Sequence, residues 1–240
     1  MQNAMDSSSN LKLSLVIPTY NERGNIEGIL KRTARVLEGI SYEIIVVDDD
    51  SDDRTWELVQ KVSSSIPAIR LQRRLGRKRD LAQSIKEGFS LAIGDILGCM
   101  DADGSHPPEA ISELLALCEG GVEMVIGSRY IAGSSISGWP RSRQNLSRSA
   151  TAITRWLLKI SIRDPLSGFF LMRRAVYDRV VNTKPRGFKI LLDLYVRGQP
   201  ATVAEIPIHF DNRRIGSSKL SAKVVYHGLV DVLSLMRVRN

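Results

Sequence analysis

Residues 99–109, CMDADGSHPPE, set two carboxylates, Asp101 and Asp103, one residue apart at the end of an apolar run. Positions i and i+2 of an extended segment point the same way, so the two acids project together while Ala102 turns inward. Bare, such a pair repels itself. A divalent cation between the acids makes it favourable, and hard oxygen donors suit Mg²⁺ or Mn²⁺. Mg²⁺ is commonly held by one or two carboxylates plus substrate phosphates, so the pair fits a ligand that carries a diphosphate. An isolated Asp-x-Asp is just as simply a loop with two solvated acids. Here a second cluster, Asp48-Asp49-Asp50, also closes an apolar run, and this context favours the site.

The elements that would position these acids follow from periodicity. KLSLVIP (12–18) predicts a buried strand, and residues 21–39 a helix with Ile26, Ile29, Leu30, Thr33 and Leu37 on one face. YEIIVVDDD (42–50) predicts a strand, DRTWELVQKV a helix, AIRLQ (68–72) a strand and 80–92 a helix. DILGCMD (95–101) is a fourth strand, Pro107 and Pro108 open a helix to Leu117, and VEMVIGSR (122–129) is a fifth strand. Strands that are continuous apolar runs, alternating with helices, predict an α/β fold with a mostly parallel, Rossmann-like sheet and helices on both faces. In such sheets ligands bind outside the carboxyl ends of the strands, which here read PTYNE, DDDSDD, MDADGS and GSRY. Beyond them, 140–160 predicts a basic amphipathic helix with Leu146, Ala150, Ile153, Leu157 and Ile160 on one face. A strand is expected at 167–174, a helix at 188–198 and a strand at 202–210. The parse is a disordered tail at 1–10, one catalytic body at 11–216 and a C-terminal amphipathic helix at 217–240 that could contact a membrane surface. For either amphipathic helix, ordinary packing against the sheet explains the pattern equally well.

With 43% hydrophobic and 25% charged residues, the 240-residue chain can bury a substantial core and is not disordered as a whole. Its two cysteines, Cys99 and Cys118, exclude a disulfide framework, suit no zinc site, and are expected to be small buried hydrophobes in a reducing setting. No apolar run reaches the roughly 20 residues that span a bilayer. The net charge of +8 is clustered at 70–79, along 141–163 and at 213–223. It is either a solvated basic face or the footprint of an anionic partner. A nucleic-acid-binding module is disfavoured, because the 70–79 cluster lacks interleaved aromatics and no nucleic-acid motif is present.

IPTYNE, VVDDDSDDRT, MDADGSHPPE, GSRYIAG, GW before a run of arginines, DPLSGF, GFKILLDL and EIPIHF followed by DNRRIGSSKLS occur in this order. Together they resemble the family 2 glycosyltransferases of GT-A fold, and within them the dolichol- or polyprenyl-phosphate mannose synthases, over about residues 12–222. The resemblance implies that Pro18, Tyr20, Glu22 and Asp49, assisted by Asp48, hold the donor nucleoside. It implies that Asp101 lies by the sugar diphosphate and that Asp103 is the main metal ligand, with Ser105 a weaker one. Arg129, Arg143, Ser147, Arg213 and Lys219 match positions that grip the acceptor phosphate, and Asp101 and Arg129 are the expected catalytic residues. Four departures stand out: Arg54 for a glycine, Asp80-Leu81 for Gly-Leu, Ser134 for a glycine and Asp193 for a glutamate.

The implied reaction is inverting transfer of mannose from GDP-mannose to a polyprenyl (dolichyl) monophosphate, with Mg²⁺ or Mn²⁺ as cofactor. A UDP-hexose such as UDP-glucose is the alternative donor, and a catalytically inactive nucleotide-sugar-binding subunit is a third reading, disfavoured by the intact acids. A lipid acceptor implies a peripheral protein on the cytoplasmic face of a membrane, endoplasmic reticulum or plasma membrane by source. Many relatives carry transmembrane segments after this point, so the resemblance also implies a small membrane-anchoring partner or a transmembrane region outside this chain.

Overall fold

The computed structural model describes residues 13–180, 190–212, 232 and 234–236. Strand β1 (Leu13–Thr19), helix α1 (Ile26–Val36), β2 (Tyr42–Asp48), α2 (Thr55–Ser65), β3 (Ile69–Arg73), α3 (Leu81–Leu91) and β4 (Ile96–Cys99) form the first half. A single 3₁₀ turn at Pro108–Ala110 leads into α4 (Ile111–Glu119), followed by β5 (Met124–Ser128), β6 (Ser135–Ile136) and α5 (Arg141–Leu158). Then come β7 (Phe170–Arg173), α6 (Arg174–Asp178), α7 (Ile190–Gly198), β8 (Val203–Pro207) and β9 (His209–Phe210). Every predicted strand and helix of the first half is present, with ends moved by a few residues.

Seven strands make one sheet in the order β3-β2-β1-β4-β7-β5-β8, and β6 pairs with β9 separately. All pairings in the large sheet are parallel except those of β7, which runs antiparallel to both β4 and β5. Periodicity cannot reveal this reversal, because an apolar run looks the same in either direction. Its consequence is positional: the loop entering β7, residues 164–169, lies at the same edge as the carboxyl ends of β1, β2, β4 and β5.

The sheet is buried on both faces, which is why its strands lack polar alternation. On one side Leu13, Leu15, Ile17, Ile44, Val46 and Leu171 meet α1, α2 and α4. On the other Val16, Ile45, Val47, Leu97, Phe170 and Met172 meet α3, α6 and α7. Close packing needs small residues at two points. A Cβ on Gly88 of α3 would lie 2.5 Å from Val16, and one on Gly98 of β4 would lie 2.3 Å from Leu171.

Two expectations change. The strand expected at 202–210 is broken between β8 and β9, with Ile208 turning into the core. On α5, the packed residues are Thr151, Thr154 and Leu158, with Leu157 and Ile160 against the core, while Leu146 and Ile153 face outward. The helix predicted at 217–240 falls mostly outside the described residues; of its described members, Val232 and Leu235 are buried in the core. Among the described residues no helix is long and apolar enough to cross a membrane.

Arg54, the residue that replaces a glycine, sits in the left-handed region at φ 60°, ψ 35°, just before α2. The chain keeps the backbone that glycine would favour and carries a side chain there at a cost of roughly 1–2 kcal/mol. Arg54→Gly is therefore expected to raise stability by about 0.5–1 kcal/mol, after the larger unfolded-state entropy of glycine is counted, in urea denaturation. Cys99 and Cys118 are both free and buried. Burial pushes the Cys118 thiol up to about 12 and raises that of Cys99 as well. A thiol reagent at pH 8 should find neither cysteine in the native protein and both in guanidinium.

Candidate active site at the carboxyl edge of the sheet

Asp101 and Asp103 follow β4 in a tight turn in which Gly104 takes φ 79°. Ala102 is buried, as the sequence predicts, but so is Asp103, so only Asp101 of the two acids is open. Asp103 is 4% exposed, and its Oδ1 accepts hydrogen bonds from the Ser105 backbone N–H at 3.0 Å and from the Ser105 hydroxyl. The Asp101 side chain is 34% exposed, open to a ligand. Its carboxylate lies over Gly168, where a Cβ would come within 2.7 Å of Asp101 Oδ2.

His106 closes the turn. It is 2% exposed, stacked on Phe169 at 5.3 Å between ring centres and edge-on to Phe210 at 5.2 Å. Burial holds its pKa down at about 4, so the ring is neutral near pH 7. The Asp101 backbone N–H donates to Nδ1 at 3.3 Å, which assigns the ring proton to Nε2. The Asp211 N–H donates to the Ser105 carbonyl at 3.1 Å and ties the same turn to the end of β9.

Among the described residues no three His, Cys, Asp or Glu side chains gather as a metal site. A cation would take from this turn only two carboxylates and the Ser105 hydroxyl, all hard oxygens. That donor set fits Mg²⁺ or Mn²⁺ with substrate phosphates completing the shell.

The acids after β2 are engaged inside the protein. Asp48 accepts from Thr19 Oγ1 at 2.8 Å, Ser51 Oγ at 2.6 Å and the Ser51 N–H at 2.9 Å. Asp49 pairs with buried Arg74 and accepts from the Asp80 N–H at 2.9 Å. Arg74 also donates to Ser84 Oγ at 3.0 Å, so it joins the loop after β3 to the start of α3. Asp80, the residue in place of the usual glycine, caps α3 by accepting from the Gln83 N–H at 3.2 Å. Pro18 lies buried in β1. Tyr20 donates from its hydroxyl to Asp52 at 2.8 Å, which raises its pKa, and carries the Arg79 guanidinium 3.9 Å over its ring. Glu22 accepts from Asn25 Nδ2 at 2.8 Å, and its N–H donates to Thr55 Oγ1 at 2.9 Å. Pro18, Tyr20, Glu22, Asp48 and Asp49 are thus gathered where β1 and β2 end.

Arg129 follows β5. Its side chain is 10% exposed, and Nε and Nη2 each donate to Asp164 at 2.7 Å. Burial works against the guanidinium charge, but the Asp164 hydrogen bonds and charge outweigh it and hold the pKa above its ordinary value. The Asp164 N–H in turn donates to Glu205 of β8 at 3.0 Å. Tyr130 donates to Ser147 Oγ at 2.7 Å and ties this loop to α5, where Arg143 lies 3.9 Å over the Trp139 ring. Arg213 and Lys219 lie outside the described residues. The structure therefore brings Asp101, Asp103, Ser105 and Arg129 to one edge, with Ser147 linked to them through Tyr130. It adds Arg74, His106, Asp164 and Gly168, which the sequence reading left without a role. For Asp164 a signal existed: an acid entering an apolar strand, in a chain where an arginine leaves the strand before it.

Residues 14–181 match the family model described as Glycosyl transferase family 2. The chain belongs to glycosyl transferase family 2. It is 42% identical over 95% of its length to a dolichol-phosphate mannosyltransferase of Pyrococcus furiosus, of which it spans 64%. It is 34% identical over 97% of its length to a dolichol-phosphate mannosyltransferase of Mycosarcoma maydis, of which it spans 82%. It is also 34% identical over 91% of its length to a polyprenol monophosphomannose synthase of Mycolicibacterium smegmatis, of which it spans 84%. A glucosyl-3-phosphoglycerate synthase of Mycobacterium tuberculosis, crystallised with Mn²⁺, UDP-glucose and phosphoglyceric acid, matches with a TM-score of 0.70 at 19% identity, over 96% of this chain and 81% of that one. The last likeness shows the shared α/β fold.

The Arg129–Asp164 pair yields a stability prediction for this glycosyltransferase. Asp164→Ala leaves a buried unpaired guanidinium and should cost roughly 3–5 kcal/mol in urea denaturation. The double variant Arg129→Met/Asp164→Leu should recover most of that loss, because it removes both charges together.

Proposed function

We propose that this chain transfers mannose from GDP-mannose to a polyprenyl (dolichyl) monophosphate with inversion at the anomeric carbon. The observation that carries the reading is the meeting, at one sheet edge, of the half-exposed Asp101 and its partner Asp103 with the buried Arg129. A diphosphate-bearing donor suits the acids, and a phosphate nucleophile suits the arginine. The names of the three relatives support mannosyl transfer to a dolichol or polyprenol phosphate.

The chemistry asks little of a general base. A phosphomonoester has its second pKa near about 6, so the acceptor is largely ionised at neutral pH. The chain's work is then positioning and charge stabilisation. Pro18, Tyr20 and Glu22 with Asp48 and Asp49 form the wall against which the nucleoside rests. Arg129, whose Nη1 is not committed to Asp164, orients the acceptor phosphate together with Arg143 and Ser147, and with Arg213 and Lys219. Asp101 stands beside the positive charge that develops on the sugar ring. A bound Mg²⁺ or Mn²⁺, held by Asp101, Asp103 and Ser105, supplies charge neutralisation for the departing diphosphate. In-line displacement of an α-linked donor gives a β-linked lipid product. A lipid acceptor places the protein peripherally on the cytoplasmic face of a membrane, with a membrane-anchoring partner or segment as a further component.

The test is incubation with radiolabelled GDP-mannose, a polyprenyl phosphate and Mg²⁺ or Mn²⁺, with UDP-glucose in parallel, counting label that enters the organic phase. Metal-dependent transfer from GDP-mannose is expected. Transfer from UDP-glucose alone would replace the donor, and none from either would overturn the reading. Asp103→Ala should abolish metal-dependent transfer with an unchanged circular-dichroism spectrum. Retained turnover in that variant would remove Asp103 from the metal site.

A further inference from the structure

A cavity of about 390 Å³ opens between α5 and the loop after β5, walled by Arg129, Arg148, Arg155 and Arg163, with Thr151 among its lining residues. Arg129 is neutralised by Asp164. Among the described residues no acid lies within ion-pair distance of Arg148, Arg155 or Arg163, so three cations face this space uncompensated. Thr151 is 5% exposed, and its buried Oγ1 has no hydrogen-bond partner. The Nε of Arg155 is likewise buried and unpartnered. Buried polar atoms are normally satisfied, and these two belong to residues that line one cationic cavity, whose chemistry suits an anion with several acceptor oxygens. Of the residues that the proposed function assigns to the acceptor, Arg129 walls this cavity as well, whereas Arg143 and Ser147 are not among its lining residues.

The same helix suggests where that anion comes from. The outward face of α5 bears Leu146, Ile153 and Trp156, exposed by 53%, 49% and 77%. On a helical wheel the positions between them are Ser142, Asn145, Ser149 and Ala152, so the stripe holds no charge, and Arg148 and Arg155 border it. An uncharged stripe edged by arginines is the pattern of a helix lying in a membrane interface. We propose that this cavity binds the phosphate of an anionic phospholipid headgroup, at a site that borders that of the acceptor phosphate across Arg129 and is centred on Arg148, Arg155 and Arg163. The lipid source rests on the proposed reading of a membrane-borne acceptor; the anion chemistry of the cavity does not.

The experiment is co-sedimentation of the full chain with phosphatidylcholine vesicles that do or do not contain phosphatidylglycerol. Three variants are compared with the wild type: Arg148→Gln/Arg155→Gln, Thr151→Val, and the control Arg35→Gln/Lys61→Gln on the remote helices α1 and α2. Each arginine near an anionic surface is worth about five-fold in binding. The cavity pair should therefore lose on the order of twenty-fold in affinity for phosphatidylglycerol vesicles, and the remote pair less than two-fold. Thr151→Val changes no charge, and a several-fold loss there reports coordination rather than surface potential. Wild-type binding by both cavity variants would overturn the proposal. Equal loss from the remote pair would do so too, because bulk charge would then explain everything. Inorganic phosphate supplies a second arm. If it raises the thermal midpoint of the wild type but not of Arg155→Gln, and vesicle binding is the same for both, the site takes soluble phosphate and the lipid assignment fails. Mannosyl transfer to a short-chain polyprenyl phosphate in detergent separates the two phosphate sites. Unchanged transfer in the cavity variants supports a second site, whereas a parallel loss would make the cavity the acceptor site itself. The vesicle result stands even if no mannosyl transfer occurs, so failure of that reading is distinguishable.

Discussion

The bidentate pair between Arg129 and Asp164 is the contact around which the carboxyl edge is assembled. A guanidinium this deeply buried is tolerable only with a counter-charge in hand. Arg129 leaves β5, and Asp164 stands shortly before β7. They meet because β7 runs antiparallel between β4 and β5. A parallel β7 would carry Asp164 to the opposite edge and strand the arginine. The same reversal delivers Gly168 to the Asp101 carboxylate, at a distance that only a residue without Cβ permits. One strand direction thus determines both the cationic and the anionic half of the site.

The edge holds many acids, and the structure divides their labour by the donors around each. Asp48 is saturated by hydroxyls and a backbone N–H, so its charge is spent on bracing the β1 and β2 ends. Asp49 is matched by Arg74. Asp103 accepts from Ser105 and is buried, and Asp101 is the more exposed of the two. Like charges this close are bearable because donors inside the protein surround the deeper carboxylates. His106 belongs to this scheme as a neutral acceptor: desolvation suppresses its proton, and the stacked Phe169 ring fixes its plane. A charged imidazole there would compete with any cation for the acids.

Most of the frame was legible because buried parallel strands are uninterrupted apolar runs, and four of them run on into acids or an arginine, at PTYNE, DDDSDD, MDADGS and GSRY. The burial of Ala102 was expected from a strand period, but β4 ends at Cys99 and the acids sit in a turn, where Asp103 is as buried as Ala102. What could not be read was pairing. Nothing local in DPLSGF says that its aspartate belongs to an arginine thirty-five positions earlier, since the contact depends on strand order and direction, and both are properties of the whole sheet. Arg74 was hidden for a related reason: in a run of six basic residues one is 5% exposed and the others are not, and only the position of Asp49 selects it. Arg54 was legible as an anomaly, and the structure places it in the left-handed region that glycine favours.

Helix α5 marks the limit of periodicity as evidence. Hydrophobic spacing identifies a stripe but not the solvent it faces. The sequence offers Leu146 and Ile153 as one apolar face, for the sheet or for a membrane surface, and the buried residues of α5 are instead Thr151, Thr154 and Leu158. A helix packed through threonines has given its larger apolar side chains to the outside. That arrangement is costly in water and neutral or favourable against hydrocarbon. The arginines then fall into place by the same logic. Those beside the stripe extend toward the cavity, where Thr151 leaves a hydroxyl unpaired, and those nearer the sheet edge find an aromatic ring or an aspartate. The positive charge of this chain is therefore not one solvated face. Among the described residues it is sorted into arginines held by carboxylates, as Arg74, Arg77 and Arg129 are, and a group beside the apolar stripe that has none within ion-pair distance.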